Sequence, residues 1–263
     1  MIKILRYLGS AVLSRISALS DIWEIIAFSL YSLVFRFKKG RKATKSVLLK
    51  QIYFAGFEAV PIVSWIALAL GIIIVTQSFS ILPKVGGEGL IGDILVWVVI
   101  REIGPIFSAI IVVARSGTAI ASELGSMKIS KELTALEIIG IDPMHYLIAP
   151  RVIGTCISVF VLTFYFEIIA VLGGYLLAGF GKRMTFSVYI ADVLASLGFA
   201  EIGSSVLKSV LFGLIIGAVC CLNGMKVQRS ITEIPQRTTK AVIGSFKAVF
   251  LIDAVVTLIF FMF

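Results

Sequence analysis

Stretches of about twenty predominantly apolar residues dominate this chain, falling at 58–80, 92–114, 152–180, 203–222 and 241–263. A helix needs about that length to cross a hydrocarbon core of roughly 30 Å. A backbone in lipid must satisfy its own polar groups, so such stretches are restricted to helices. The predicted class is therefore an all-α membrane protein of five transmembrane helices. Composition agrees. Apolar residues make up 59% of the chain and charged residues 15%, where a soluble domain has roughly half and a quarter. The mean hydropathy is +1.06.

The segment before the first span reads differently. Leu5, Leu8, Val12, Ile16, Leu19, Trp23, Ile26, Leu30, Leu33 and Phe37 recur in steps of three and four, a single helical stripe. Lys3, Arg6, Arg15, Asp21, Glu24 and Arg36 interrupt it, which suits an N-terminal amphipathic helix lying in the interface. A span over 22–37 is the alternative. Residues 36–45 form a basic collar suited to anionic headgroups. The chain thus divides into 1–50, interfacial helix and collar, and 51–263, the transmembrane domain. No small-residue cleavage site follows a compact apolar core, so the N-terminus is expected to remain in the mature protein.

Charge sets the expected orientation. Residues 1–57 carry ten Lys and Arg, 115–151 carry four and 223–247 carry five. The other side carries Lys84, Lys182, Arg183 and, at a span edge, Lys208, while Arg101 lies inside a span. The positive-inside rule places the N-terminus in the cytoplasm and the C-terminus outside. The net charge of +9 is not spread as a nucleic-acid face requires, so no nucleic-acid partner is expected. Gly86, Gly87 and Gly89 predict a flexible first outer turn, and 182–200 has room for a short helix on the outer face. No internal repeat is apparent.

Few residues suggest chemistry. Cys156, Cys220 and Cys221 fall inside apolar stretches without a C-x-x-C pair, and His145 is the single histidine, so neither a metal nor a disulfide framework is expected. There is no G-x-x-x-x-G-K-[ST], G-x-S-x-G or H-E-x-x-H. The chain is therefore expected to have no catalytic residues and no cofactor, and not to hydrolyse ATP itself.

Three constellations stand out. Arg101 and Glu102 lie within the second span, followed by Gly104 and Pro105. Ionisable groups at such depth each cost at least about 2.5 kcal/mol on insertion scales. They form either a polar patch in a substrate cavity at a proline kink or a structural pair satisfied by neighbouring helices. Adjacent helix residues point about 100° apart, so the two are not expected to face each other squarely. Gly117, Ala121 and Gly125, and separately Gly213 and Gly217, form small-residue ladders for close helix packing. The stretch 117–150 is too polar to span. There Ser130 is expected to cap a short helix with Glu132 in its first turn, Gly140 and Pro143 to stop it, and Ile129, Leu133, Leu136 and Ile139 to line one face. Spacing alone leaves docking to another protein and packing on its own spans equally open.

Specific motifs resolve the choice. ARSGTAIASELGSM from Ala114, ALEIIGIDP from Ala135, YLIAPR from Tyr146, REIGP from Arg101, and Asn223–Gly224 with RTTKAV from Arg237 together resemble the MlaE-type permeases of MCE-associated phospholipid ABC transporters. The similarity runs over most of the chain after about residue 45. It implies a homodimeric inner-membrane permease that moves phospholipid between the inner membrane and the outer envelope and maintains lipid asymmetry. ATP and Mg would sit on separate cytoplasmic ABC ATPase subunits. An MCE-domain ring protein would cover the outer face, with a STAS-domain regulator in some members. A cytoplasmic coupling helix between the second and third spans, within 122–143, would meet the ATPase through Glu123, Leu124, Met127, Lys131, Glu132, Leu133, Leu136, Gly140 and Asp142. The lipid cavity at the dimer interface would be lined by Gln77, Phe79, Arg101 and Glu102. One departure concerns the coupling helix: many members carry Glu-Gln-Ile-Asp where this chain has Lys131, Glu132, Leu133 and Thr134. A stand-alone channel or ion-coupled transporter, motivated by Arg101 and Glu102 alone, and a membrane scaffold without a cavity are the competing classes.

Overall fold

The computed structural model describes residues 19–32, 41–85, 91–182, 185–228 and 230–262. Among the described residues every regular element is helical, and five helices are long and apolar enough to cross a membrane. Residues 19–32 form α1. Of its predicted stripe, Leu19, Trp23 and Leu30 are exposed and Ile26 packs against the core, while Ile25, Ser29 and Ser32 are buried. Asp21 bonds Lys226 at 2.9 Å and Ser32 Oγ lies 2.6 Å from His145 Nδ1, so both ends of α1 are tied to the bundle. The first part of the stripe, residues 1–18, lies outside the described residues, as do residues 36–40 of the basic collar and the Gly86–Gly89 turn.

The long helices exceed the predicted spans. α2 (Arg41–Ala55) passes through a tight turn at Phe57–Ala59 into α3 (Val60–Ile81). α4 (Ile91–Ile94) continues through a π-helical stretch, Leu95–Ile103, into α5 (Gly104–Val112). A second π-helical stretch, Val113–Gly117, leads into α6 (Thr118–Ile129). The polar residues 117–129, expected to begin a separate loop element, instead prolong the second span. Then come the short α7 (Glu132–Ile138), a π turn at Met144–Ile148, and α8 (Ala149–Lys182). α9 (Phe186–Ser196) fills the 182–200 region as expected, followed by α10 (Phe199–Met225) and α11 (Glu233–Met262).

The turn around α7 corrects one detail. Ser130 ends α6, its hydroxyl donating to the Ser126 carbonyl at 2.9 Å and to Glu132 at 2.8 Å. The N-cap position falls to Lys131, whose φ of 60° is left-handed. Gly140 stops the helix as predicted. At φ 81° it lets Ile141 N–H reach the Leu136 carbonyl at 2.9 Å and its own N–H reach Glu137 at 3.0 Å, a Schellman closure.

α10 is the hub. Of its most apolar stretch 72% is buried, against 17% for α11 and 28% for the helix ending in α3. Between helices in lipid the hydrophobic drive is absent, and close backbone approach takes its place. Gly213 and Gly217 press on the backbone of Cys156 and Val152 in α8, and Gly71 of α3 presses on Ala170. The Gly117 ladder packs on α10 and the turn after it, against Cys220 and Val227.

A Cβ at Gly213 would collide with the Cys156 backbone, whereas one at Gly203 meets nothing within 4 Å. Gly213→Ala is therefore expected to lower stability by about 1–3 kcal/mol. Gly203→Ala should raise it by about 0.5–1 kcal/mol through helix propensity. Thermal unfolding of both variants in detergent measures the contrast.

Candidate functional site

Three long helices each bring an ionisable residue to one depth. Glu102 is ten residues from the start of the Gly92–Ile129 helix, Lys208 nine from Phe199, and Asp253 nine from Met262. At 1.5 Å per residue each lies about 14 Å from the bundle end opposite α7, inside the hydrocarbon core. The side chains meet. Lys208, fully buried, places Nζ 2.5 Å from Glu102 Oε2 and 2.9 Å from Asp253 Oδ1. It also donates to Thr257 Oγ1 at 2.8 Å and to the Arg101 carbonyl at 3.1 Å. Thr257 Oγ1 in turn donates to Glu102 at 3.2 Å.

Local sequence explains why that carbonyl is free. A proline cannot donate the helical hydrogen bond to the carbonyl four residues earlier, and for Pro105 that residue is Arg101. The helix widens into π geometry over Leu95–Ile103 just before it, a distortion common at functional sites. Contrary to expectation, Arg101 and Glu102 do meet, with Arg101 Nε 3.6 Å from Glu102 Oε1. Two cations and two carboxylates therefore balance formally. The cluster is not sealed: the Glu102 and Asp253 side chains keep 29% and 15% of their surface exposed.

Lys208 is the main miss of the sequence reading, which placed it at a span edge on the outer side; it is buried inside α10. Asp253 and Glu167 were not singled out at all. The usable signal was each residue's isolation as the one charge in a long apolar run. Glu167, nearly buried in α8, accepts from Ser205 Oγ at 2.5 Å and packs against Gly104. The other proposed cavity residues stand apart. Gln77 is exposed near the end of α3, in a groove of about 280 Å³ with Ile73, Ile81 and Ile94 that neither Arg101 nor Glu102 lines. Phe79 is half-buried against the core.

The residues expected at the coupling helix divide sharply. Leu124 and Leu133 are buried, and Leu136 and Met127 are half-buried. Glu123 is exposed but bonds Arg151 at 2.8 Å. Lys131, Glu132, Gly140 and Asp142 are exposed, and Asp142 accepts the Met144 N–H at 2.9 Å. The apolar side chains that do face outward are Ile138 (80% exposed), Ile139 (69%) and Ile141 (38%), of which only Ile139 belonged to the predicted face.

The permease family described as Permease MlaE matches residues 48–259. A probable ABC transporter permease protein of Rickettsia typhi is 28% identical over 82% of this chain and 83% of its own. The intermembrane phospholipid transport system permease protein MlaE of Haemophilus influenzae is 27% identical over the same shares. The chloroplastic TRIGALACTOSYLDIACYLGLYCEROL 1 protein of Arabidopsis thaliana is 27% identical over 94% of this chain and 71% of its own.

Removing Lys208 leaves Arg101 as the one cation facing two carboxylates in the membrane. Lys208→Met is expected to cost about 3–5 kcal/mol, the scale of breaking a buried ion pair from one side. Adding Glu102→Gln and Asp253→Asn should restore part of it. Thermal unfolding of the single and triple variants tests this, and a triple variant no more stable than the single would remove charge pairing as the cause.

Proposed function

Because the chain belongs to the MlaE permease family, we propose that it is the transmembrane subunit of an ABC transporter that moves phospholipid between the inner membrane and the outer envelope. It is a multi-pass membrane protein and a transport subunit. Its work is conformational, and hydrolysis belongs to separate ATPase subunits that hold ATP and Mg.

The observation that carries the reading is the half-open charged cluster. In a lone subunit Glu102 and Asp253 would keep part of their surface toward hydrocarbon, an expensive arrangement. A second copy against this face closes it into a cavity with a charged floor and apolar walls, suited to a molecule with a phosphate head and acyl tails. Arg101 and Glu102 form the floor. Gln77 lies four residues from the end of α3, about 6 Å along the axis, and with Phe79 borders the mouth.

The ATPase docks at the opposite end. Ile138, Ile139 and Ile141, at the end of α7 and in the turn after it, make an exposed apolar ridge beside Lys131, Glu132, Gly140 and Asp142, and an exposed apolar ridge of this kind fits a groove on a partner. The buried Leu124 and Leu133 support α6 and α7 from within. Movement there has a direct route to the cavity, because one helical rod runs from Ile129 to Glu102. Its two π-helical stretches are places where the rod can change register. The resemblance supports the remaining assembly: an MCE-domain ring at the α9 end, periplasmic with the C-terminus, a cytoplasmic N-terminus, and a STAS-domain regulator beside the ATPase.

Purification from native membranes is expected to recover a Walker-motif ATPase and phospholipid with a dimer of this chain. Ile138→Asp with Ile139→Asp should release the ATPase and leave the dimer inserted; retained ATPase would remove the docking assignment. In proteoliposomes with the ATPase, Glu102→Gln should slow ATP-dependent transfer of labelled phospholipid roughly tenfold, the scale of one lost charge-assisted contact. Unchanged transfer would return the cluster to a purely structural role.

A further inference from the structure

A polar cavity lies far from the mid-span cluster and has no part in the function above. It encloses about 320 Å³ between α2, α6 and the start of α8, and its wall includes Lys50, Gln51, Glu123, Met127 and Arg151. Arg151 is 5% exposed. Glu123 holds its Nη2 at 2.8 Å, and its buried Nη1 has no hydrogen-bond partner. Gln51 is already engaged with Thr155, at 3.4 Å. Two cations against one carboxylate leave the wall with an excess positive charge, and the unpaired guanidinium nitrogen is closed to solvent. The contrast with Arg115 is informative: its two terminal nitrogens are both occupied, by the Phe54 carbonyl at 2.8 Å and by Glu58.

Depth narrows the ligand. A bilayer including headgroups is about 42 Å thick, or about 28 helical residues. Counted from the ends opposite α7, at Ile81, Gly92 and Gly179, that distance reaches the neighbourhood of Phe54, Ile120 and Arg151, and all three line this cavity. The cavity therefore lies at the headgroup plane of the leaflet on the α7 side. Guanidinium pairs with phosphate through parallel N–H donors, and a nearby lysine adds a point charge without geometric demand.

The geometry points to a phosphate-binding site in this cavity, with Arg151 and Lys50 holding the phosphate and Glu123 orienting the guanidinium. The phosphate of a phospholipid headgroup in that leaflet and a soluble phosphate share this chemistry, and the test separates them. The site does not depend on the transport reading, because occupancy is measured without transport.

The full-length dimer is placed in nanodiscs containing phosphatidylglycerol, with benzoylphenylalanine at Val47 on the cavity wall. Irradiation followed by mass spectrometry reads the lipid arm, and equilibrium dialysis against radiolabelled inorganic phosphate reads the soluble arm. The expected result is a phosphatidylglycerol adduct whose yield falls about tenfold in Lys50→Gln, the loss of one charge-assisted contact, and also falls in Arg151→Lys. Lys50 is exposed, so its substitution keeps the test open if Arg151→Lys fails to fold. Saturable inorganic phosphate binding that Lys50→Gln weakens, without a lipid adduct, supports the site and assigns it to a soluble phosphate. Adduct yield equal in the Lys50→Gln and unsubstituted proteins, with no inorganic phosphate bound, would overturn the proposal.

Discussion

The ammonium of Lys208 is the point on which the transmembrane bundle turns. It draws Glu102, Asp253 and Thr257 from two other helices onto α10 and uses a carbonyl that Pro105 cannot serve. Each partner alone would be costly at this depth. Together they fix the axial register of three helices, because sliding any one by a turn, about 5.4 Å, breaks the contacts. Buried ion pairs seldom add net stability over apolar replacements. Register and a polar surface for a ligand are the stronger reasons for this one.

Around that knot, small residues set how closely the helices approach. Gly213 and Gly217 admit the α8 backbone to α10, and Gly71 admits it to α3. Hydroxyls add lateral bonds where the chains touch, as between Ser64 and Tyr165 at 2.7 Å and between Ser205 and Glu167 at 2.5 Å. α10 is thereby surrounded by protein, while α3 and α11 keep large apolar faces for lipid or a second subunit. This asymmetry leaves the charged cluster open on one side, and that opening makes it a candidate cavity floor.

The bundle's polar end is built from the same rods carried past the hydrocarbon. The helices ending in α3 and α6 run 38 residues each, about 57 Å, far beyond a 30 Å core. Their surplus forms a pedestal that presents α7 and encloses the Arg151 cavity. The mid-span cluster sits on the Gly92–Ile129 helix, and α7 follows that helix after the left-handed turn at Lys131, with the π-helical stretch Val113–Gly117 between Glu102 and that turn.

Apolar run length by itself determined the all-helical class and the five spans, since lipid allows a backbone few other solutions. Local turn chemistry likewise placed α7, ended by Gly140 in a left-handed conformation. The motifs named the family before any contact was known. What sequence reasoning could not supply was the meeting of residues distant in the chain. Lys208 looked like an edge charge until α10 was seen packed on all sides. Ser130 looked like a cap until α6 ran on to meet it. Leu133 read as an outward face although it packs inward, because a seven-residue helix of only about two turns does not reveal which stripe its neighbours cover. Those outcomes depend on depth and on neighbouring helices, and only the tertiary structure decides them.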